Sequence, residues 1–183
     1  MKIGILSDTH DDIDNVNKAI DIFQENDVKA VNHAGDIISP PVITEFYRLT
    51  EKDVELFGIF GNNDGEKRGL KNAFEVIGGK LLGDVGKIEL DGLKFCIYHG
   101  QDLKKKEKII KSGKFDVFVF GHTHTRYPKD VDAKIINDII VLNPGTAHSI
   151  AKTFASDTQY FGESSIMVFD TSTKQFKFFD LGQ

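Results

Sequence analysis

The stretch Gly121-His122-Thr123-His124 follows the short run Asp116-Val117-Phe118-Val119-Phe120. The β-branched and aromatic residues of that run predict a buried strand, which Gly121 ends. Because side chains alternate along a strand, two histidines two positions apart are expected to leave its end on the same side. Two imidazoles held together in this way form half of a metal site. Taken alone, the motif fits two ordinary loop histidines equally well.

Four other predicted strands run into turns of the same kind, which carry Asp, Asn or His next to Gly or Thr. These turns contain Asp8-Thr9-His10, His33-Ala34-Gly35-Asp36, Gly61-Asn62-Asn63-Asp64 and His99-Gly100. In open α/β sheets, ligands bind outside the carboxyl ends of the strands. The sequence therefore predicts that these polar side chains gather in one site.

The first half of the chain alternates strands and helices, a pattern typical of parallel strands joined by crossover helices. One of these helices is expected to begin at an N-cap, Ser39, and to end near Leu49. The second half predicts hairpins instead, around Asp91-Gly92, Asn137-Asp138 and residues 171–174. We expect an α/β protein with two packed sheets and outer helices, in a single domain of residues 1–183.

Residues 147–163 are polar and show no clear periodicity. A stretch of this length without secondary structure is often functional in a compact domain. We interpret it as a lid or as an oligomer contact. If it is a lid, its deletion should alter substrate preference and leave the metal content intact.

The composition bounds the class of protein. With 183 residues, 40% hydrophobic and 28% charged, the chain should form a globular core. No apolar run approaches the roughly 20 residues that span a bilayer, and the chain starts directly in a strand, so we expect a cytoplasmic protein. The single cysteine, Cys96, is expected to be buried and reduced. The net charge of -5 argues against broad nucleic-acid binding but not against a phosphate substrate, since bound cations reverse the local field.

The predicted site offers oxygen and nitrogen ligands only, which excludes a structural zinc site built on cysteine. Seven ligands are too many for one ion and fit two ions that share a bridging carboxylate. Such a pair can generate a hydroxide and hold the entering and leaving oxygens of a phosphoryl transfer. The candidate ligands are Asp8, His10, Asp36, Asn62, His99, His122 and His124.

The order of these motifs along the chain resembles that of the calcineurin-like metallophosphoesterases. The Asn143-Pro144-Gly145 turn and the short chain are most similar to the small phosphodiesterase branch of that family. The resemblance covers residues 1 to about 146 and the final hairpin. It implies a four-layer α-β-β-α sandwich with two mixed sheets, the metallo-dependent phosphatase fold.

The resemblance also implies roles for the ligands. Asp36 would bridge two divalent ions, and a hydroxide between the ions would attack a small phosphodiester in line. Manganese is the first expectation for the ions, with nickel, iron, cobalt, zinc and magnesium as alternatives. Small members of the family are often dimeric, so a homodimer is an open alternative to a monomer. The first ion would be held by Asp8, His10, Asp36 and His124, and the second by Asp36, Asn62, His99 and His122.

One position departs from the family pattern. Many members carry a histidine where this chain has Asn63, and that histidine contacts phosphate or protonates the leaving oxygen. An amide donates a hydrogen bond but is no general acid near neutral pH. We therefore expect good activity on activated aryl diesters and slow turnover of esters with poor leaving groups. The neighbouring Asp64 is expected to orient the catalytic loop or a ligand histidine and not to bind metal.

Three further residues have two interpretations each. Arg126 is a candidate phosphate contact or a surface salt bridge. His148 is a candidate substrate contact or a plain surface histidine. His33 is expected to pack or to support the ligands, because strand alternation directs it away from Asp36.

Two other functions compete with the phosphodiesterase. The first is a phosphomonoesterase, against which Asn63 and the lack of a cationic phosphate clamp count. The second is a non-catalytic interaction scaffold like the retromer subunit that resembles this branch. Degraded metal motifs would favour the scaffold, and none of the seven ligand positions is degraded.

Overall fold

Two mixed β-sheets pack face to face, and helices cover their outer sides. The computed structural model describes residues 1–129, 135–149 and 164–182. Most of the stretch predicted as a lid or an oligomer contact, residues 150–163, lies outside the described residues.

The first sheet is built mainly from the first half of the chain. Its strands are β1 (Lys2–Leu6), β2 (Ala30–His33), β3 (Glu55–Gly58), β4 (Lys80–Leu81), β11 (Ser165–Asp170) and β12 (Gln175–Asp180). They lie in the order β12-β11-β1-β2-β3-β4. The run from β1 to β4 is parallel, as the alternating pattern predicted, and β11 and β12 are antiparallel.

The second sheet contains two of the three predicted hairpins, those around Asp91-Gly92 and Asn137-Asp138. Its strands are β5 (Val85–Leu90), β6 (Leu93–Tyr98), β7 (Val117–Val119), β8 (Arg126–Tyr127), β9 (Ile135–Ile136) and β10 (Ile139–Pro144). The order is β5-β6-β7-β10-β8, and β9 pairs with β10. The strands β6, β7 and β10 are parallel to one another, so the sheet is mixed and not a plain meander.

The helices form the two outer layers. The first sheet is covered by α1 (Ile13–Glu25), α2 (Pro40–Glu45), α3 (Tyr47–Thr50) and α4 (Lys67–Val76), and the second by α5 (Leu103–Ile110). The α1 residues Val16, Ile20 and Phe23 are fully buried against the first sheet, as their spacing predicted. No residue of α5 is fully buried. Among the described residues, no helix combines the length and the apolar character needed to cross a membrane.

A continuous apolar core separates the two sheets. It is formed by alternate side chains of β1, β3, β6, β7, β10 and β11, which include Ile5, Phe95, Val119 and Phe169. A second apolar cluster lies between the first sheet and its helices, and a third lies between the second sheet and α5. Cys96 is buried in the third cluster. The four layers confirm the predicted α-β-β-α sandwich.

Two local predictions are corrected by the structure. Ser39 stands at the N-cap position of α2, but its hydroxyl donates to Asp11 Oδ1 at 2.6 Å and makes no capping bond. The helix predicted to reach Leu49 is divided at Phe46 into α2 and α3. The hairpin turns agree with prediction, since Asp91 and Gly92 have φ of +50° and +76°, as a two-residue turn of this type requires.

Candidate metal centre

The five polar turns meet where the carboxyl ends of the strands of both sheets come together. In the first sheet, Leu6 is in register with His33 and His33 with Gly58, so the turns after β1, β2 and β3 are neighbours. In the second sheet, Ile97 is in register with Val119, which places the turns after β6 and β7 side by side. Parallel pairing thus assembles the site from distant parts of the chain.

Two buried carboxylates lie at the centre of the site. Asp8 Oδ1 lies 3.2 Å from His124 Nε2 and 3.9 Å from the Nε2 atoms of both His10 and His99. Asp36 Oδ2 lies 3.2 Å from His99 Nε2 and 3.7 Å from His10 Nε2. The ligand atoms form two overlapping groups, Asp8 with His10 and His124, and Asp8 with Asp36 and His99, each within 4.8 Å.

Several of these buried atoms have no hydrogen-bond partner among the described residues. They are Asp8 Oδ1, His10 Nε2 and His99 Nε2. A buried polar atom without a partner destabilises a protein by about 1–3 kcal/mol. His99 Nδ1 must carry the proton, because it donates to the Ala34 carbonyl at 2.8 Å, so Nε2 presents its lone pair to the carboxylates. This arrangement fits divalent metal ions.

The charge balance of the site supports the same fit. Burial alone would raise the pKa of Asp36, but His99 and two hydrogen bonds from Asn63 hold it below its usual range. Burial alone would lower the pKa of His99, but Asp36 and Asp8 raise it. The Asp36 carboxylate is therefore ionised near pH 7, and the carboxylates stabilise positive charge at His99. Burial lowers the pKa values of His10 and His122, so both imidazoles are mostly neutral near pH 7 and could serve as ligands.

The remaining candidate ligands lie around this centre. The ring centroid of His122 is 5.2 Å from that of His99, and the His124 ring is 5.3 Å from the His10 ring. The motif therefore sends one histidine to each side of the site. Asn62 lies in the exposed turn after β3, and only its position in that turn places it near the others.

The backbone at the candidate ligands has an uncommon conformation. Non-glycine residues rarely adopt positive φ, and such strain concentrates at functional sites. Alternation along a strand is therefore not what directs His122 and His124 into the site, because both lie in a left-handed turn. The φ values are +55° for Asp8, +41° for His10, +55° for Asp36, +66° for His122 and +53° for His124.

Asp64 fixes two of the site turns by accepting hydrogen bonds from backbone amides. It is 3% exposed and accepts from the N–H groups of Asp36 (3.0 Å), Ile37 (2.8 Å), Ile38 (2.7 Å) and Gly61 (2.7 Å). Its carboxylate is thus occupied by the backbone of the turns after β2 and β3. The geometry agrees with the orienting role expected from the sequence.

His33 supports the turns after β1 and β2. The Gly35 amide donates to His33 Nδ1 at 3.2 Å, so Nε2 carries the proton and donates to Thr9 Oγ1 at 3.1 Å. Burial lowers the pKa of His33 to about 4. The ring therefore stays neutral near pH 7, and both of its nitrogens contact the turns after β1 and β2.

The three candidate substrate contacts have different surroundings. Asn63 Nδ2 donates to Asp36 Oδ2 at 2.7 Å, and the residue is exposed at the edge of the site. The His148 side chain is 18% exposed, and its ring lies 5.7 Å from that of His10, so it is not a plain surface histidine. Arg126 forms an ion pair with Asp180 and donates to Ser165 Oγ at 2.9 Å, which matches its salt-bridge interpretation.

One contributor to the site was missed in the sequence. Asp12 is 3% exposed and accepts from the Ser149 amide at 2.8 Å. His148 Nδ1 lies 3.7 Å from Asp12 Oδ2. The sequence signal was available, because Asp12 directly follows the Asp-x-His motif and its turn.

The chain is similar to known phosphoesterases over most of its length. Residues 1–174 match the family model of the calcineurin-like phosphoesterase superfamily domain. The phosphodiesterase MJ0936 of Methanocaldococcus jannaschii is 44% identical over 146 residues, which are 79% of this chain and 83% of that protein. A probable metallophosphoesterase of Methanothermobacter thermautotrophicus is 27% identical over 154 residues, which cover 80% of this chain and 77% of that protein.

Solved structures show the same fold. A structure described as a novel archaeal phosphodiesterase has a TM-score of 0.81 and 36% identity, covering 98% of this chain and 99% of its own. The phosphoesterase YfcE of E. coli has a TM-score of 0.63 at 15% identity and full coverage of both chains, so it supports the fold alone. On these matches, together with the metal-ligand geometry, the chain belongs to the calcineurin-like phosphoesterase superfamily.

Proposed function

We propose that this protein is a metal-dependent phosphodiesterase that hydrolyses small phosphodiesters. The observation that carries the proposal is the pair of ligand groups that overlap at Asp8, with Asp36 beside it. The similarity to the phosphodiesterase MJ0936 supports the choice of a diester over a monoester. The ligand positions are all present, which disfavours the non-catalytic scaffold.

The proposed ligands are those expected from the sequence. Two divalent ions bound there supply Lewis-acid polarisation of the phosphoryl oxygens and lower the pKa of water. Asp8 and Asp36 both face histidines of the two groups, so either carboxylate is placed to serve both ions. Because the donors are carboxylate, amide and imidazole, we propose manganese first, with nickel as the next choice.

The proposed substrate contacts follow from the surroundings of each residue. His148 lies beside His10, and its backbone N–H donates to the Asp8 carbonyl at 3.1 Å. We place His148 at a phosphoryl oxygen as a hydrogen-bond donor. Asn63 orients the Asp36 carboxylate with two hydrogen bonds, and its amide is too weak an acid to protonate a leaving group. Arg126 is the weakest of the three candidates, since Asp180 already engages it.

The experiment that tests the function compares bis-p-nitrophenyl phosphate with the p-nitrophenyl monoester. The protein is stripped of metal and then given Mn²⁺, Ni²⁺, Mg²⁺ or Zn²⁺ in turn. We expect metal-dependent cleavage of the diester that is lost in Asp36→Ala. Asp84→Ala is a matched control, because Asp84 is an exposed carboxylate in an ion pair with Lys67.

Two results would contradict the proposal. Faster cleavage of the monoester with every ion would favour the phosphomonoesterase. Absence of hydrolysis with all four ions, in folded protein that binds metal, would favour the scaffold.

Two wider expectations also remain proposals. A cytoplasmic location is supported by the single buried cysteine, which needs no oxidising compartment. A homodimer is supported only because small relatives are often dimeric. Analytical ultracentrifugation of the metal-loaded protein would measure the oligomeric state.

A further inference from the structure

A second pocket lies on the outer face of the second sheet, behind the Gly121–His124 turn. It has a volume of about 410 Å³ and lies between α5 and β8. Its floor is apolar and includes Phe120, Tyr127 and Val141. The Tyr127 ring is half-buried and lies 6.1 Å from the Phe120 ring at a tilt of 54°, and Phe120 itself is buried and stacks on Phe118. We call this cavity the α5–β8 pocket.

The lining of the α5–β8 pocket is cationic. Lys106, Lys129 and Arg126 contribute to it, and no carboxylate is among its described lining residues, although the whole chain has a net charge of -5. Arg126 is paired with Asp180, so the two lysines supply the positive charge that is left for a ligand. This local reversal of sign marks a site for an anion.

Lys106 is the best placed of these cations. Its Nζ atom lies 4.4 Å from the centroid of the Phe120 ring, at the floor of the pocket. Burial lowers the pKa of Lys106, because the ammonium group has lost part of its hydration. An anion bound next to it would replace that hydration. Lys108, on the same helix, does not line the pocket and is exposed.

The pocket also adjoins the metal centre. Thr123 lines the pocket and lies between His122 and His124 in the chain. Its hydroxyl accepts a hydrogen bond from Asn143 Nδ2 at 3.0 Å, and Asn143 also donates to the Gly121 carbonyl at 3.1 Å. A ligand in the pocket would therefore touch the turn that carries two candidate metal ligands.

We propose that the α5–β8 pocket binds an aromatic anion. A planar ring packs against Tyr127, and a phosphate, sulfonate or carboxylate group on that ring contacts Lys106 and Lys129. Aromatic faces and ammonium groups together recognise this class of ligand, since each alone would bind weakly. The anion belongs either to the second ester group of the substrate or to a separate small molecule.

The test measures binding directly and does not depend on hydrolysis. Benzenesulfonate is titrated into the protein loaded with diamagnetic Mg²⁺, and amide shifts are followed by NMR. We expect shifts in residues 123–127 and in α5, and little change at the turns that carry Asp8 and Asp36. Lys106→Gln should weaken binding by about fivefold or more, as expected for the loss of one charge-assisted contact. Lys108→Gln, on the same helix outside the pocket, should bind as the wild type does.

Inorganic sulfate carries the anionic group without the ring, and benzyl alcohol carries the ring without the charge. Both should bind more weakly than benzenesulfonate. Equal weakening in Lys106→Gln and Lys108→Gln would overturn the proposal, as would shifts confined to the metal centre or no binding at millimolar concentrations. Lys129→Gln gives a second test if Lys106→Gln is poorly folded.

Kinetics then separate the two sources of the anion. Competitive inhibition of diester hydrolysis by benzenesulfonate would assign the pocket to the substrate. A change in kcat without a change in KM would assign it to a separate ligand that acts through the Thr123 turn.

Discussion

At the scale of single residues, the clearest structural role belongs to Asp64. Its two oxygens accept four backbone N–H groups, which come from the turns after β2 and β3. Those turns carry Asp36, Asn62 and Asn63. A carboxylate is suited to this position because both of its oxygens accept hydrogen bonds, whereas an amide has only one acceptor oxygen.

We predict that Asp64→Asn lowers the free energy of unfolding by about 2–3 kcal/mol, because the amide nitrogen would face backbone donors. The variant should also bind metal more weakly, since Asp36 loses its support. Urea denaturation and metal analysis measure the two effects. A variant with wild-type stability would show that the four hydrogen bonds contribute little.

Asn63 carries a second prediction at this scale. Because its amide cannot protonate a leaving oxygen, Asn63→His should raise turnover of alkyl diesters by about tenfold or more. Cleavage of bis-p-nitrophenyl phosphate should change little, since nitrophenolate leaves without a proton. The comparison is the ratio of kcat for the two substrates in each protein. An unchanged ratio would mean that position 63 does not limit the chemistry.

The sequence predicted which residue types assemble but not how the backbone presents them. Asp8, Asp36 and His99 could be selected because each follows an apolar strand. The left-handed backbone at Asp8 and Asp36 could not be predicted, because neighbouring turns impose it through non-local hydrogen bonds such as Asp8 N–H to Gly35 O at 2.9 Å. For the same reason the sequence left two interpretations of His148 open and did not place it beside His10.

At the scale of elements, the Gly121–His124 turn depends on close packing against β1. The His122 amide donates to Asp8 Oδ2 at 3.0 Å, which ties the turn to the turn after β1. A side chain at position 121 would overlap Ser7 Oγ and the Asp8 carboxylate. The glycine therefore does more than end the strand, which was the role predicted for it.

We predict that Gly121→Ala displaces the turn, reduces metal content and lowers kcat by about 100-fold, as expected for misplaced ligands. Gly65→Ala is the matched control, because a Cβ atom at Gly65 would meet no atom within 4 Å. Metal analysis and diester hydrolysis measure the effect. Equal behaviour of the two variants would show that the contact with Ser7 and Asp8 is unimportant.

Element types were predictable from periodicity, and element ends less so. The apolar face of α1 and the turn at Asp91 were visible in the sequence because both depend on local pattern. The break at Phe46 was not visible, and Phe46 is fully buried in the core at that point. The Ser39 hydroxyl likewise bonds to Asp11, which is distant in the sequence, and not to a backbone group of its own helix.

At the scale of the whole molecule, the pairing of distant strands was the least predictable feature. The final hairpin, β11 and β12, was recognised as a hairpin, yet nothing local shows that β11 pairs with β1 in the first sheet. That pairing joins the two ends of the described chain, and β11 also contributes Met167 and Phe169 to the core between the sheets.

The shared core predicts that the molecule unfolds as one unit, consistent with a single domain. Both sheets bury side chains in the same apolar layer, so neither should remain folded without the other. Urea denaturation followed by circular dichroism and by tyrosine fluorescence should give coincident single transitions. The chain has no Trp and four Tyr, so the fluorescence reports on few sites. Separated transitions would divide the chain into two domains.

We propose that carboxylates facing both ligand groups hold two ions, and the number of metal ions bound by variants tests this proposal. Mn²⁺ is titrated into stripped protein, and bound metal is counted by mass spectrometry after gel filtration. We expect two ions per chain in the wild type, one in His124→Ala, and fewer than one in Asp36→Ala, because Asp36 faces both His10 and His99. A single ion per wild-type chain, or two in Asp36→Ala, would rule out a two-ion site that depends on Asp36.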